Sequence, residues 1–144
     1  MTLVYAESSA VVRWLLGADS AGEIQAALAG AQAVVSSALT STEVARTLRR
    51  LEASGTIDAR ARESAWARYA STLGHWHVYA VSEPVLTRAA QAFPVEPVRA
   101  LDALHLATAL LFSSEVAPLV VLSVDPRVRD NARTLGPHLM SPTA

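Results

Sequence analysis

Leu119-Val120-Val121-Leu122-Ser123-Val124 is a run of six residues, almost all apolar and half of them β-branched, closed by Asp125-Pro126. It is too short for an ordinary buried helix and shows no polar–apolar alternation. Such a run reads as a strand covered on both faces, the condition of a parallel sheet. Parallel neighbours need crossover connections, usually helices. The rest of the chain supplies them. Short β-branched runs lie at 3–6, 33–36 and 77–81, with a possible edge strand at 138–140. Helical patterns fall at 8–16, 20–29, 40–54, 58–73, 82–93, 99–111 and 125–135. Gly30, Gly55, Gly74 and Gly136 are placed to stop four of them. Ser82, Asp58 and Asp125 are placed to cap, with Pro84 and Pro126 in tolerated first-turn positions. Strands alternating with helices from end to end predict an α/β fold, a mostly parallel sheet with helices on both faces.

Length and composition narrow the chemistry. With 144 residues, 51% of them hydrophobic, the chain is sized for one domain spanning 1–144. There is no cysteine, and all 12 basic residues are arginine. Disulfides, a cysteine nucleophile and a Cys-ligated zinc are therefore excluded. So are a P-loop and Schiff-base catalysis, both of which need a lysine. A net charge of −1 supplies no global field toward nucleic acid. No apolar stretch approaches the ~20 residues that span a bilayer, and the first residues lack a basic n-region. The expectation is a soluble cytoplasmic protein with no membrane association.

Among 13 acidic residues, four stand where solvated surface acids seldom do. Glu7 ends the first strand and Asp125 ends the run at 119–124. Glu43 and Asp102 lie within about a turn of helix starts. In open parallel sheets the ligand crevice lies outside the carboxyl ends of the strands, and all four acids are placed toward that edge. Each has an ordinary alternative. Glu7 favours a helix N-terminus through the macrodipole. Thr40-Ser41-Thr42-Glu43 fits a capping box. Asp125-Pro126 fits an N-cap with proline at N1. Asp102 is spaced to pair with Arg99. Four carboxylates in one cleft repel unless a cation neutralises them, and Mg²⁺ or Mn²⁺ suits such hard oxygen ligands. Phosphodiester hydrolysis is the usual chemistry of such a cluster, with the metal on the scissile phosphate and a water activated for in-line attack.

In order and context, four stretches resemble the PIN-domain family, in particular its VapC-type ribonuclease toxins. They are Tyr5-Ala6-Glu7-Ser8-Ser9-Ala10, Ser36 through Arg46 around Glu43, Arg99-Ala100-Leu101-Asp102-Ala103-Leu104-His105, and Leu122-Ser123-Val124-Asp125-Pro126-Arg127 with Ala132 to Gly136. The resemblance covers nearly the whole chain. It implies a Rossmann-like α/β/α sandwich, a Mg²⁺- or Mn²⁺-dependent endoribonuclease, a cognate antitoxin that blocks the site, and a homodimer. It implies Glu7, Glu43, Asp102 and Asp125 as the catalytic, metal-holding quartet. Ser8 or Ser9 matches the small hydroxyl residue after the first acid, which positions water or phosphate. One departure stands out, because the family usually has aspartate where this chain has Glu7. The extra methylene shifts the carboxylate by on the order of 1.5 Å, against metal–oxygen distances of about 2.0–2.1 Å. If Glu7 is unsuited to catalysis, Glu7→Asp raises activity.

Other candidates carry less. His105, one turn after Asp102, is read as a histidine packed in an apolar helix, with the cleft as the alternative. His75 and His77 alternate on a strand entry and are read as surface. Trp14, Trp66 and Tyr69 are read as packing rather than base-stacking groups. Arg46, Arg49 and Arg50 are spaced to share a helix face, and Arg60, Arg62 and Arg68 follow on the next helix. These are read either as a solvated ion-paired face or as a rim for RNA phosphates or an antitoxin. Arg13 and Arg127 are weaker phosphate candidates. A catalytically weak PIN fold that only binds RNA or protein is the main alternative. A phosphatase with an aspartate nucleophile is disfavoured by the missing lysine and by Glu7.

Overall fold

The computed structural model describes residues 2–115, 119–135 and 139–140. The elements run β1 (Leu3–Ala6), α1 (Ser8–Leu16), α2 (Ala21–Gly30), β2 (Ala33–Ser37), α3 (Ala38–Ala53) and α4 (Ala59–Leu73). They continue with β3 (His77–Tyr79), α5 (Glu83–Ala89), α6 (Ala100–Glu115), β4 (Leu119–Leu122), α7 (Pro126–Thr134) and β5 (Leu139–Met140). The strands form one sheet in the order β3-β2-β1-β4-β5, and every pairing is parallel.

The two faces of the sheet are sorted by strand alternation. Val4, Ala6, Val34 and Leu122 turn to one side, where they meet Val11 and Trp14 of α1, Val44 and Leu48 of α3, and Tyr69 of α4. Tyr5, Val35, Leu119 and Val121 turn to the other, under Ala103, Leu106 and Phe112 of α6 and Val128 of α7. Burying each of the larger aliphatic side chains contributes about 1.5–3 kcal/mol. The result is the expected α/β/α sandwich. Tyr5 pairs with Val35 on one neighbour and Val121 on the other, so β1 is central. From β1 the chain winds outward through β2 to β3, then returns to add β4 on the opposite side. Strand order therefore reverses between β1 and β4, which opens a crevice at their carboxyl ends.

Several boundaries differ from the sequence reading. α3 begins at Ala38, with Ser37 as N-cap accepting from the Leu39 amide at 3.1 Å. Thr40 is a buried partner of Ser36 instead, and Glu43 sits in the second turn, so the capping box is not formed. Gly30 lies inside α2, whose cap is an extended Ala31. The left-handed C-cap belongs to Gly17 after α1, at φ 65°. β3 starts at His77 and ends at Tyr79, leaving exposed His75 in the turn before it. α5 stops at Ala89, well short of Phe93. Gly136 and His138 lie outside the described residues.

Candidate active site

Glu7 follows β1 directly and Asp125 stands three residues beyond β4, so the strand-order reversal sets them side by side. α3 and α6 bring Glu43 and Asp102 to the same place. All four acids line one cleft of about 430 Å³, together with Ser8, Ser9, Arg13, Thr47, Arg50 and Arg99. The crevice therefore collects the whole predicted quartet and both serines.

The four carboxylates are held differently. Glu7 is only 2% exposed. Its Oε1 accepts from the Ser8 hydroxyl at 2.8 Å and the Ser9 amide at 3.1 Å. Its Oε2 accepts from the Ser9 hydroxyl and from the Ser123 hydroxyl, the latter at 2.7 Å. Four donors fill the acceptor sites of a carboxylate. Glu7 is thus the N-cap of α1, at the helix N-terminus where its macrodipole reading put it, and folds back into a nest of hydroxyls rather than reaching outward. All three serine hydroxyls, of Ser8, Ser9 and Ser123, spend their protons on Glu7. The Ser9 oxygen in turn accepts from the Val124 amide at 3.0 Å, and the Ser123 oxygen from the Asp125 amide at 3.1 Å. The nest ties the end of β1 to the turn that carries Asp125.

Asp125 caps α7, its Oδ1 accepting from the Arg127 amide at 2.9 Å. Asp102 is buried to 7% exposure, and its carboxyl is pushed up from the ordinary 3.8, first by burial and then by Asp125. Arg99 opposes that shift and Glu7 adds to it. The expected Arg99–Asp102 pair forms, at 3.3 Å. Glu43 hydrogen-bonds His105 Nε2 through its Oε1. Asp102 Oδ1 and Glu43 Oε2 accept no hydrogen bond from the described residues.

His105 is both of the things proposed for it. It is 1% exposed, packed within α6, yet bonded to a cleft acid. Its Nδ1 lies 2.8 Å from the Tyr5 hydroxyl, on the central strand. Burial, then Glu7, raises the Tyr5 phenol well above its ordinary 10.0, with a smaller contribution from Glu43 and an opposing one from Thr108. Sequence reasoning alone does not single out Tyr5 or Ser123. A lone serine interrupting the apolar run at 119–124 was the available signal for Ser123.

The arginines divide. Arg50 lines the cleft with Glu43 and Thr47. Arg49 instead lines a separate groove with Ala45, Leu48, Arg62 and Trp66, and lies 3.9 Å from Glu52. The supposed common face of Arg46, Arg49 and Arg50 is split, since helix positions 49 and 50 differ by about 100°. Arg13 also reaches the cleft, while Arg46 and Arg127 are exposed outside its lining. Trp14 and Tyr69 are core residues, as expected, with Arg68 stacked 4.5 Å over the Trp14 ring.

Hard oxygens, two of them uncommitted among the described residues, and a carboxyl whose charge is penalised by burial and then by Asp125 make a donor set suited to a divalent cation. Among the described residues, no three His, Asp or Glu side chains stand close enough to hold one ion as placed.

The chain belongs to the PIN-domain family, whose model matches residues 4–134. Within that family it sits with the VapC-type proteins. It is 33% identical over 143 residues to Ribonuclease VapC46 of Mycobacterium tuberculosis, covering 99% of this chain and 100% of that protein. In fold it is similar to VapBC2 from Rickettsia felis, solved bound to a DNA fragment from its promoter, with a TM-score of 0.63, 13% identity and 98% of each chain covered. It is also similar to VapC20 of Mycobacterium tuberculosis, a sarcin-ricin loop cleaving toxin, with a TM-score of 0.62, 17% identity and coverage of 92% of this chain and 95% of that one. No helix among the described residues is long and apolar enough to cross a membrane.

Proposed function

We propose that the protein is a Mg²⁺- or Mn²⁺-dependent endoribonuclease, the toxin of a type II toxin–antitoxin pair. The observation that carries this is the convergence of Glu7, Glu43, Asp102 and Asp125 on one cleft at the strand-order reversal. The full-length likeness to a VapC ribonuclease supports the same reading. Asp102 and Glu43, each with an uncommitted oxygen, are the residues that would hold the metal, with Asp125 and Glu7 completing the negative field. A divalent cation bound there supplies the positive charge that the carboxylates and a scissile phosphate both need. Arg50 and Arg13 hold the flanking RNA phosphates at the rim. Asp125, anchored by Arg99, orients the attacking water. Glu7 acts on the site through Ser9 and Ser123, which fix the turn at 123–125.

The same reading includes a cognate antitoxin that covers this cleft, a homodimer and a cytoplasmic location. Purified protein with structured RNA and Mn²⁺ should cleave, and EDTA or Asp102→Asn should each abolish cleavage. Cleavage that survives both overturns the carboxylate–metal mechanism. A non-cleaving PIN fold that only binds RNA or protein is favoured by one feature, the full hydrogen-bond complement of Glu7. It predicts little Mn²⁺ affinity and no change in it on Asp102→Asn.

A further inference from the structure

We infer that Tyr5 and His105 form a buried positioning pair that fixes Glu43 in the cleft, the phenol donating to Nδ1 and Nε2–H donating to Glu43 Oε1. The inference rests on the reading of Glu43 as a site acid. Glu43 is a long side chain on α3 that could point to several places, and its hydrogen bond to a buried ring selects one. That bond engages Oε1 alone, so Oε2 is left for the cleft. The partner is rigid, because His105 is 1% exposed and Tyr5 fully buried. The two rings meet edge to face, with centroids 5.9 Å apart and planes at 73°.

The hydrogen-bond directions follow from the acceptors. A carboxylate accepts only, so the ring nitrogen facing it must carry a proton. In the neutral ring the other nitrogen then presents a lone pair, and a buried lone pair needs a donor. The Tyr5 hydroxyl, 2.8 Å from Nδ1, supplies it. The Thr108 hydroxyl beside the phenol gives its own proton to the Leu104 carbonyl at 2.7 Å. The central strand of the sheet thereby sets the tautomer of a helix residue, and that tautomer sets the carboxylate. Partners of this kind behind a metal-holding group are worth about 10–100-fold in affinity or activity when removed.

The test combines a spectroscopic and a functional arm. In the ¹⁵N-labelled protein, the His105 ring, assigned by its loss in His105→Gln, should show an unprotonated Nδ1 and a protonated Nε2. Tyr5→Phe should disturb that pattern. In His105→Gln the carboxamide nitrogen stands near the Nε2 position, and in His105→Asn near the Nδ1 position. Gln should recover most of the Mn²⁺ affinity and kcat that Asn loses, and the Asn loss should be about tenfold or more with the KM for RNA unchanged. A protonated Nδ1 in the wild type overturns the inference. So does an equal loss in both variants at equal Tm, which marks His105 as packing alone. If the substituted chains do not fold, the wild-type tautomer decides. A wild type that never cleaves RNA defeats the ribonuclease reading, while the tautomer and the Mn²⁺ titration still judge the positioning pair.

Discussion

Arg99 Nη2 lies 3.2 Å from Asp125 Oδ2, an ion pair between the residue before α6 and the cap of α7. The same guanidinium also serves Asp102. Its side chain is 67% exposed, so water and salt screen much of its effect. Burial first, and then the nearby charge of Asp125, raise the Asp102 carboxyl despite this pairing.

The raised carboxyl sets a pH signature in metal-free protein. Between 3.8 and the higher folded value, the native state binds more protons than the unfolded chain. Stability therefore falls as pH rises through that window, and the penalty is full above it. Asp102→Asn should raise Tm by a few degrees near neutral pH, with the gain vanishing below about pH 4. Thermal melts in EDTA across pH check this. A variant that is less stable than wild type at neutral pH would contradict it.

A resident cation should appear as stability before it appears as turnover. At free Mn²⁺ about 100-fold above its Kd, linkage adds about 2.7 kcal/mol. Differential scanning calorimetry should find Tm raised by Mn²⁺ in the wild type and much less in Asp102→Asn. An unchanged wild-type Tm alongside active cleavage would remove the metal from Asp102.

Ser123 gives its proton to Glu7 and receives the Asp125 amide, at 6% exposure. Ser123→Ala should cost about 1–2 kcal/mol by leaving buried groups unpaired. Misplacing Asp125 should lower kcat by about tenfold or more. Glu7→Asp draws the carboxylate back from Ser123 by about one C–C bond, on the order of 1.5 Å. It should slow cleavage, the opposite of what a glutamate unsuited to catalysis would give. A faster Glu7→Asp enzyme would show that the nest is not built for glutamate.

Arg50 and Arg49 are neighbours with different surroundings. Arg50→Ala should raise the KM for RNA several-fold and reduce the salt dependence of binding by about one phosphate contact. Arg49→Ala should leave both nearly unchanged. Equal effects would mean that RNA spans both surfaces of α3.

What the sequence revealed depended on range. β1 and α1 were legible to the residue, because a β-branched run, an acid and two serines mark that junction locally. The parallel sheet was legible from the mostly apolar run ending at Asp125. The edge shared by the four acids followed from strand and helix order alone. The start of α3 was not legible, because Ser36, Ser37 and Thr40 are all plausible caps. The choice was made elsewhere, by the Ser36 hydroxyl bonding to the Ala6 carbonyl at 2.7 Å. His105 and Glu43 stand 62 residues apart, and no local pattern joins them. The arginine face divided because α3 presents residue 50 to the cleft and residue 49 to α4. Helical spacing names neighbours but does not say which way they look.

Glu7 and Ser123 are 116 positions apart, so the floor of the cleft is closed by two distant segments rather than by one stretch of chain. During synthesis the first acid leaves the ribosome long before its last partners. A ribosome-bound fragment ending before β4 has β1 paired only with β2, Glu7 without Ser123, and no Asp125. Such a fragment carries three of the acids but no assembled site. The fold thus leaves the four acids unassembled until β4 and the turn at 123–125 have been made.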